Sequence, residues 1–336
     1  MESKGNIVLT SRIRLARNIS GIPFPHMLSL NKSEEVIDEV YSAIIDNEVN
    51  IENSFKLVKL SDINSLQRLS MVEKHLISKE HADNYEIAGV LLNDSNDISI
   101  MINEEDHIRL QVMENSFNLK EIYEKATQID DAIEAKLKYA FDSKLGYLTS
   151  CPTNLGTGIR ASVMVHLPAL TLIKNINNII ETVNQVGMTI RGFYGEGSNA
   201  MGNIYQISNQ ITLGLSEYEI INNIVGVTKK IIDNEKTARN LILKKQALEL
   251  EDDIYRSLGM LRYTRLITTS ECLNLLSKVR LGVEMGIVND IDIKDLDMLF
   301  INVQPATIQL QNDQEMDDRG RDIARAKLVR ETLIAK

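Results

Sequence analysis

The sequence predicts an α+β protein in which an antiparallel sheet flanked by helices precedes an all-helical C-terminal region. Three observations point there. Residues 7–15 and 160–166 alternate in character as strands do, and residues 86–92 and 97–102 read as two strands joined by Asn93-Asp94-Ser95-Asn96. After about Glu235 the apolar spacing is almost entirely helical. A chain of 336 residues holds one large domain or two ordinary ones, and 43% hydrophobic residues suffice for a core. The expected division is 1–238 and 239–336.

Taken in order, Ile7, Leu9, Ile13 and Leu15 alternate with Val8, Thr10, Arg12 and Arg14, which aims both arginines at one side of a strand. Val36, Ile37, Val40, Tyr41, Ile44 and Ile45 form a helical stripe, with Asn31 and Glu34 as its capping box. If the segment from Asn103 to Gln111 continues as a strand, Asn103, Glu105, His107, Arg109 and Gln111 share one face, so that Glu105 neighbours Arg109. A charged hairpin edge that blocks further strand pairing is the other reading. Helices are expected from Lys120 to Phe141 and, with proline at the start, from Pro168 to Gln185. Strands resume near Thr189–Tyr194 and Asn203–Ser208, and Ser216 with Glu219 caps a long helix leading out.

Composition excludes several functions. A formal charge of -10 argues against binding nucleic acid or an anionic membrane with the whole surface. The N-terminus lacks a basic start followed by an apolar run, and no stretch is long enough to span a bilayer, so a cytoplasmic protein is expected. Cys151 and Cys272 are too few for a disulfide framework and lack zinc-site spacing, so no protein metal site is expected.

The chemistry concentrates in a few segments. Ser150 to Arg160 combines a thiol, Gly156 and Gly158 in a tight turn, and an arginine opening a strand on which Arg160, Ser162 and Met164 share a face. Arg191 to Ser198 sets Glu196 between glycines. Each alone is equally a turn feeding a sheet or a solvated loop. Together, Arg12, Arg14, Arg109, Arg160 and Arg191 with two carboxylates form an inventory for phosphoryl transfer, because guanidinium forks hold charge spread over phosphoryl oxygens. No Walker A sequence or kinase glycine-rich loop is present.

Four segments in order, Thr10-Ser11-Arg12-Ile13-Arg14, Asn103 to Arg109, Cys151 to Arg160 and Arg191 to Glu196, resemble the ATP:guanidino phosphotransferases, which include creatine and arginine kinases. The resemblance runs from about Ile7 to Ile232 and implies a phosphagen-kinase-like catalytic domain that uses ATP, with Mg²⁺ carried mainly on the phosphates. It implies nucleotide contacts from Thr10, Ser11, Arg12, Ile13, Arg14, Arg109, Arg160, Ala161, Ser162, Val163, Met164, Arg191, Gly192, Phe193, Tyr194, Gly195 and Glu196. His75 is placed near the base, although a histidine at helical spacing is also ordinary packing. Glu105 and Glu196 are implied to orient a guanidinium, with Cys151 beside it. The chemistry agrees: a guanidinium of pKa ~12.5–13.8 attacks poorly until a positioned carboxylate takes its proton. Glu105 is the candidate base, Glu196 fixes the plane of the group, and Cys151 is an activated thiolate or a structural cysteine.

Two departures narrow the family. Phosphagen kinases carry a helical domain before the Ser-Arg-Ile-Arg strand, whereas here that strand begins almost at Met1, and an open site suits an arginine presented by a protein. Near the other end, Arg321-Asp322-Ile323-Ala324-Arg325-Ala326 puts two arginines one helical turn apart. In isolation this is an ordinary solvated face. With the other segments it resembles the bacterial protein-arginine kinases, which implies a phosphoarginine site at Arg321, Asp322, Arg325 and Ala326. The same resemblance implies homodimers or larger assemblies, allosteric stimulation by phosphoarginine, an activator protein and delivery of marked substrates to a Clp protease. The expected reaction is phosphorylation of protein arginine. The alternatives are a kinase of a free guanidino metabolite such as arginine, and a non-catalytic phosphoarginine reader or adaptor.

Overall fold

A computed structural model describes residues 7–45, 54–192 and 200–334. The chain forms two compact units, one of Thr10–Val163 with Ser208–Val225, the other of residues up to Leu9, Met164–Ile207 and Gly226–Lys336.

The first unit contains strands β1 (Val8–Arg17), β2 (Phe55–Lys59), β3 (Gly89–Asn93), β4 (Ile98–Ile102), β5 (Ile108–Glu114), the small pair β6 (Phe141–Asp142) and β7 (Gly146–Tyr147), and the start of β8 (Ile159–His166). Its sheet runs β2-β3-β4-β5-β1-β8. From β2 through β1 each paired neighbour is antiparallel. Helices α1 (Leu30–Ile45) and α4 (Leu119–Glu134) pack their apolar stripes, Val36, Ile37, Val40 and Ile44 on one and Ile122, Ala126, Ile129 and Ile133 on the other, against this sheet. Helices α2 (Ser65–Glu73) and α3 (Lys79–Asp83) contribute to a further cluster of Leu60, Ile77, Ala82, Ala88, Val90 and Met101. Strand β4 is buried throughout, as a central strand covered on both faces must be. On β1 the alternation holds where it matters, with Ile13 and Leu15 in the core and Arg12 and Arg14 half-buried between them.

The hairpin of β3 and β4 forms at the predicted turn, where the Asn93 side chain donates to Asp97 Oδ1 (2.5 Å) and accepts from Ile98 N (2.9 Å). Three local readings need correction. Helix α1 begins at Leu30 and its first turn is closed by Ser29, whose Oγ accepts from Lys32 N (3.3 Å), in place of an Asn31–Glu34 box. Helix α4 ends at Glu134, and Phe141 belongs to β6, because Tyr139 turns inward to bond Asp130 Oδ1 (3.1 Å) and Ala140 N pairs with Asn18 O (2.7 Å). The predicted helix from Pro168 is two, α5 (Pro168–Leu172) and α6 (Ile176–Gln185), broken at Lys174 in the left-handed region (φ 57°).

In the second unit β9 (Met188–Gly192) pairs with β10 (Ile204–Asn209), which adjoins the end of β8. Helix α7 (Glu217–Lys245), whose residues up to Val225 belong to the first unit, starts at the expected box, with Ser216 N donating to Glu219 Oε2 (2.8 Å) and Glu219 N to Ser216 Oγ (3.3 Å). Helices α8 (Ala247–Tyr263), α9 (Thr269–Glu284), α10 (Ile293–Asn302), α11 (Pro305–Gln311) and α12 (Asp318–Leu333) follow, as the helical spacing after Glu235 predicts.

A buried charge network ties this unit together. Glu235 accepts from Ala169 N (3.0 Å) and Leu170 N (2.9 Å) at the start of α5 and from Arg239 Nε (2.9 Å). Arg239 also reaches Glu284 (2.7 Å), which pairs with Arg280 (2.7 Å). His166 Nδ1 lies 3.1 Å from Arg280 Nη1, and its Nε2 lies 2.8 Å from Ser277 Oγ. Burial pushes the Glu284 carboxyl up, but His166, Arg280 and Arg239 outweigh it and hold it at about 2. Deleting one partner from such a set strands a buried charge, which is far costlier than the net worth of the set suggests.

Candidate active site

The pleat and register of the first unit gather its arginines. Strand β1 lies between β5 and β8, so Arg12 and Arg14 of β1, Arg109 of β5 and Arg160 of β8 come from adjoining strands. Arg14 stands opposite Gln111 and Arg109 opposite Ala16, while Arg12 Nε donates to Ser162 Oγ (3.3 Å) on β8. Burial followed by repulsion from Arg109 and Arg160 lowers Arg12 to about 10. Arg14 is pushed well below its ordinary value by burial and by Arg12, Arg109 and Arg160, with Glu104 opposing, and its buried Nε has no hydrogen-bond partner. Crowded, partly desolvated guanidiniums of one sign make a strong local field suited to a polyphosphate.

The other predicted nucleotide residues divide by the pleat. Ile13, Ala161 and Val163 are core residues, and Ser11 is buried with its hydroxyl given to Ser116 O (2.7 Å). Thr10 and Met164 are half-buried. His75 is not helical: it lies just beyond the end of α2 in the left-handed region (φ 61°), and its carbonyl accepts from Gln111 Nε2 (2.7 Å). Burial, then the Arg12 charge, lower its imidazole to about 3, so it is neutral at physiological pH. In the second unit Arg191 is exposed near the end of β9 and Gly192 closes that strand. Phe193, Tyr194, Gly195 and Glu196 lie outside the described residues.

The acidic segment departs from the predicted strand. Strand β4 stops at Ile102, Asn103 turns left-handed (φ 58°), and β5 begins only at Ile108. Asn103 N bonds His107 O (3.0 Å) and Glu104 N bonds Asp106 O (3.1 Å), closing a tight hairpin with Glu105 exposed at its tip. Glu105 and Arg109 are therefore not partners along one strand face. The partner of Arg109 is Glu104, a nearly buried carboxylate that also accepts from Ser78 Oγ (2.6 Å) and Glu105 N (2.9 Å). Burial pushes Glu104 up, but Arg109, Ser78 and the Glu105 amide hold it at about 2.

The Cys151 loop lies beside this tip, with Asn154 Nδ2 donating to Glu105 Oε2 (3.4 Å). Cys151 is half-exposed, and its Sγ is 3.0 Å from Thr153 Oγ1. Thr212 fixes the loop, its hydroxyl shared between Thr153 O (2.9 Å) and Leu155 O (2.7 Å). Both glycines are obligatory: a Cβ at Gly156 (φ 105°) would sit 2.6 Å from Thr212 O, and one at Gly158 (φ 64°) 2.6 Å from Ala16 O. Sequence reasoning missed Glu104, Asp106, Asn154 and Thr212 as members of this site. Only the acidic run itself signalled the first two.

On α12, Arg325 is buried and Ala326 fully so. Arg325 Nε donates to Val303 O (2.8 Å), and its Nη1 to Ile267 O (2.8 Å) and Asp322 Oδ1 (2.6 Å). Arg321 remains part-exposed, donating to Met316 O (2.8 Å) and pairing with Asp318.

Residues 35–238 match the ATP:guanido phosphotransferase C-terminal catalytic domain, and residues 247–336 match the protein-arginine kinase McsB C-terminal domain. The protein-arginine kinase of Clostridium kluyveri is 52% identical over 327 residues, covering 97% of this chain and 94% of its own length. That of Clostridium tetani is 48% identical over 328 residues, covering 98% and 95%. This chain belongs to the protein-arginine kinase family. Among solved structures, a lombricine kinase is similar over 70% of this chain and 68% of its own, with 28% identity and a TM-score of 0.60. The duplicated taurocyamine kinase of Schistosoma mansoni with bound transition-state analogue components covers 80% of this chain and 43% of its own, at 24% identity and a TM-score of 0.62, a likeness of fold. The enzyme is thus a guanidino phosphotransferase; Arg109 and Arg160 lie within the matched catalytic domain, for which ATP is the phosphoryl donor, and Arg12 and Arg14 stand on the strand that precedes it.

Proposed function

We propose that this enzyme transfers the γ-phosphoryl group of ATP to arginine side chains of proteins. The observation that carries the reading is the gathering of Arg12, Arg14, Arg109 and Arg160 on adjoining strands, with the exposed Glu105 on a hairpin whose preceding residue, Glu104, holds Arg109. The arginines bind the phosphates and spread the charge of the transition state, while Glu105 takes the proton as the acceptor guanidinium attacks. In this reading Glu196 fixes the plane of that guanidinium, Cys151 lies beside it, and Arg191 joins the phosphate contacts. The side chains gathered at the phosphate site are cations, so Mg²⁺ fits as an ion carried on the ATP oxygens. A protein acceptor is supported by the names of the relatives, which cover nearly the whole chain.

The same likeness supports residues 1–238 as the catalytic domain and 239–336 as a domain for phosphoarginine binding and oligomerisation, with Arg321, Asp322, Arg325 and Ala326 at its ligand site. We extend the reading to a cytoplasmic, allosteric homodimer or larger assembly, stimulated by phosphoarginine and by an activator protein and marking substrates for a Clp protease. Among the described residues no helix is long and apolar enough to cross a membrane.

The test is incubation with ATP and either an arginine-rich unfolded protein or free arginine, followed by detection of acid-labile phosphate. Protein phosphorylation lost in Glu105→Gln is expected. Phosphate on free arginine alone would make this a metabolite kinase, and none on either acceptor would leave a phosphoarginine reader.

A further inference from the structure

Asp106 follows the exposed tip residue Glu105 and is itself buried. Its Oδ1 accepts from Asn18 Nδ2 (2.6 Å) and from the backbone N of Ser150 (2.7 Å), the residue before Cys151. Asn18 also donates to Leu148 O (3.0 Å) and accepts from His107 N (2.9 Å). One carboxylate oxygen therefore ties the hairpin that carries Glu105 to the loop that carries Cys151. The tie is placed at a cost. Burial raises the Asp106 carboxyl, the Ser150 and Asn18 hydrogen bonds oppose that, and the charges of Glu105 and Glu104 add to it. A joint needed only for loop stability is made by a neutral amide or hydroxyl without setting a third carboxylate beside two others. Glu104, on the other side of Glu105, anchors to Arg109 through separate bonds.

We infer that Asp106 is a positioning residue that clamps the Ser150–Cys151 segment to the hairpin tip and sets the gap between Glu105 and the Cys151 loop which the acceptor guanidinium must enter. The inference rests on the reading that this tip and loop meet the acceptor. It separates two clamps on one hairpin, Glu104 toward the phosphate arginines and Asp106 toward the acceptor loop.

Asp106→Ala removes the acceptor of both donors, whereas Asp106→Asn keeps an oxygen for Ser150 N. The alanine variant is expected to lose about 10²-fold in kcat/KM for the protein acceptor, as a misplacement near 1 Å does, and the asparagine variant to recover most of that. ADP affinity by calorimetric titration stays at the wild-type value in both. The rate of alkylation by iodoacetamide, which reports Cys151 because Cys272 is buried with its thiol pushed up to about 12, changes in the alanine variant and returns toward wild type in the asparagine variant. Unaltered acceptor kinetics in Asp106→Ala overturn the inference. So does a parallel loss of nucleotide affinity that Asp106→Asn fails to restore. Glu105→Gln run alongside keeps the two questions apart: full turnover in that variant overturns the acceptor-site reading itself, while its loss with normal Asp106→Ala overturns only the clamp.

Discussion

Arg109 pairs with Glu104, the first of two adjacent glutamates, and leaves the second, Glu105, at the exposed tip of the hairpin. Neighbouring residues of one type are thereby divided, one anchoring Arg109 and the other open to solvent.

Replacing Glu104 should accordingly differ in kind from replacing Glu105. Glu104→Ala strips the buried partner from Arg109 and Ser78, and is expected to cost about 3 kcal/mol of stability and weaken nucleotide binding. Glu105→Gln should keep both properties and lose turnover. Urea unfolding and nucleotide titration of the two variants decide it, and an undisturbed nucleotide affinity in Glu104→Ala would refute the anchor.

For Arg12 and Arg160, alanine should lower kcat/KM for ATP by about 10²–10³-fold each, the scale of removing one preorganised donor to transition-state charge. Lysine should restore little, because a point charge lacks the planar fork. Steady-state kinetics with ATP varied are the measurement, and full activity in both lysine variants would show that only net charge is required.

The two arginines of α12 should also part company. Arg325→Ala orphans the carbonyls of Val303 and Ile267 and leaves Asp322 unpaired, an expected loss of about 3 kcal/mol seen as a lower urea midpoint. Arg321→Ala should leave that midpoint almost unmoved and instead abolish the calorimetric signal of added phosphoarginine. Undiminished binding in Arg321→Ala would remove it from the ligand site.

Acid should destabilise the protein in two stages. Burial lowers His81 and His166 from 6.5 to about 4 and His75 to about 3, so below pH 6.5 the unfolded chain takes up protons that the native state refuses. Stability from these groups falls as pH drops through that window, at about 1.4 kcal/mol per pH unit for each histidine while the difference in protonation is complete. Glu104 and Glu284, held at about 2, add stability that is present above their ordinary 4.5 and lost as pH falls below it. Urea midpoints measured from pH 7.5 to 4 test the slope, and a flat profile would contradict it.

The strands were legible where one physical rule dominated. Ile13 and Leu15 alternating with Arg12 and Arg14 gave β1 and the side on which its arginines lie, and Asn93 to Asn96 gave a turn. Periodicity does not show a single left-handed residue held by distant partners. Asn103 ends β4 with its amide donating to Ser33 O (3.0 Å) and Ile87 O (2.9 Å), 70 and 16 residues away, and this turn decides that Glu104 and not Glu105 meets Arg109. Lys174 and His75 escaped because a left-handed φ leaves no mark on apolar spacing. The gathering of Arg12, Arg14, Arg109 and Arg160 and the tight turn at Gly156 and Gly158 were visible because strand alternation and close backbone approach restrict residue type. Asp106 and Thr212 were not, since a carboxylate and a hydroxyl that bond backbone amides and carbonyls look like any surface residue until the chain is folded.

Crowding Arg12, Arg14, Arg109 and Arg160 stores repulsion in the native state, and a bound polyanion relieves it. With nucleotide at this cluster, as proposed, it is a structural ligand as well as a reactant, raising stability by RT ln(1 + [L]/Kd), about 2.7 kcal/mol at a hundredfold excess over Kd. Resistance to heat and to proteases should rise and fall with the ATP supply, so that energy-starved conditions would thin the population of the kinase through its own unfolding before any change in its synthesis.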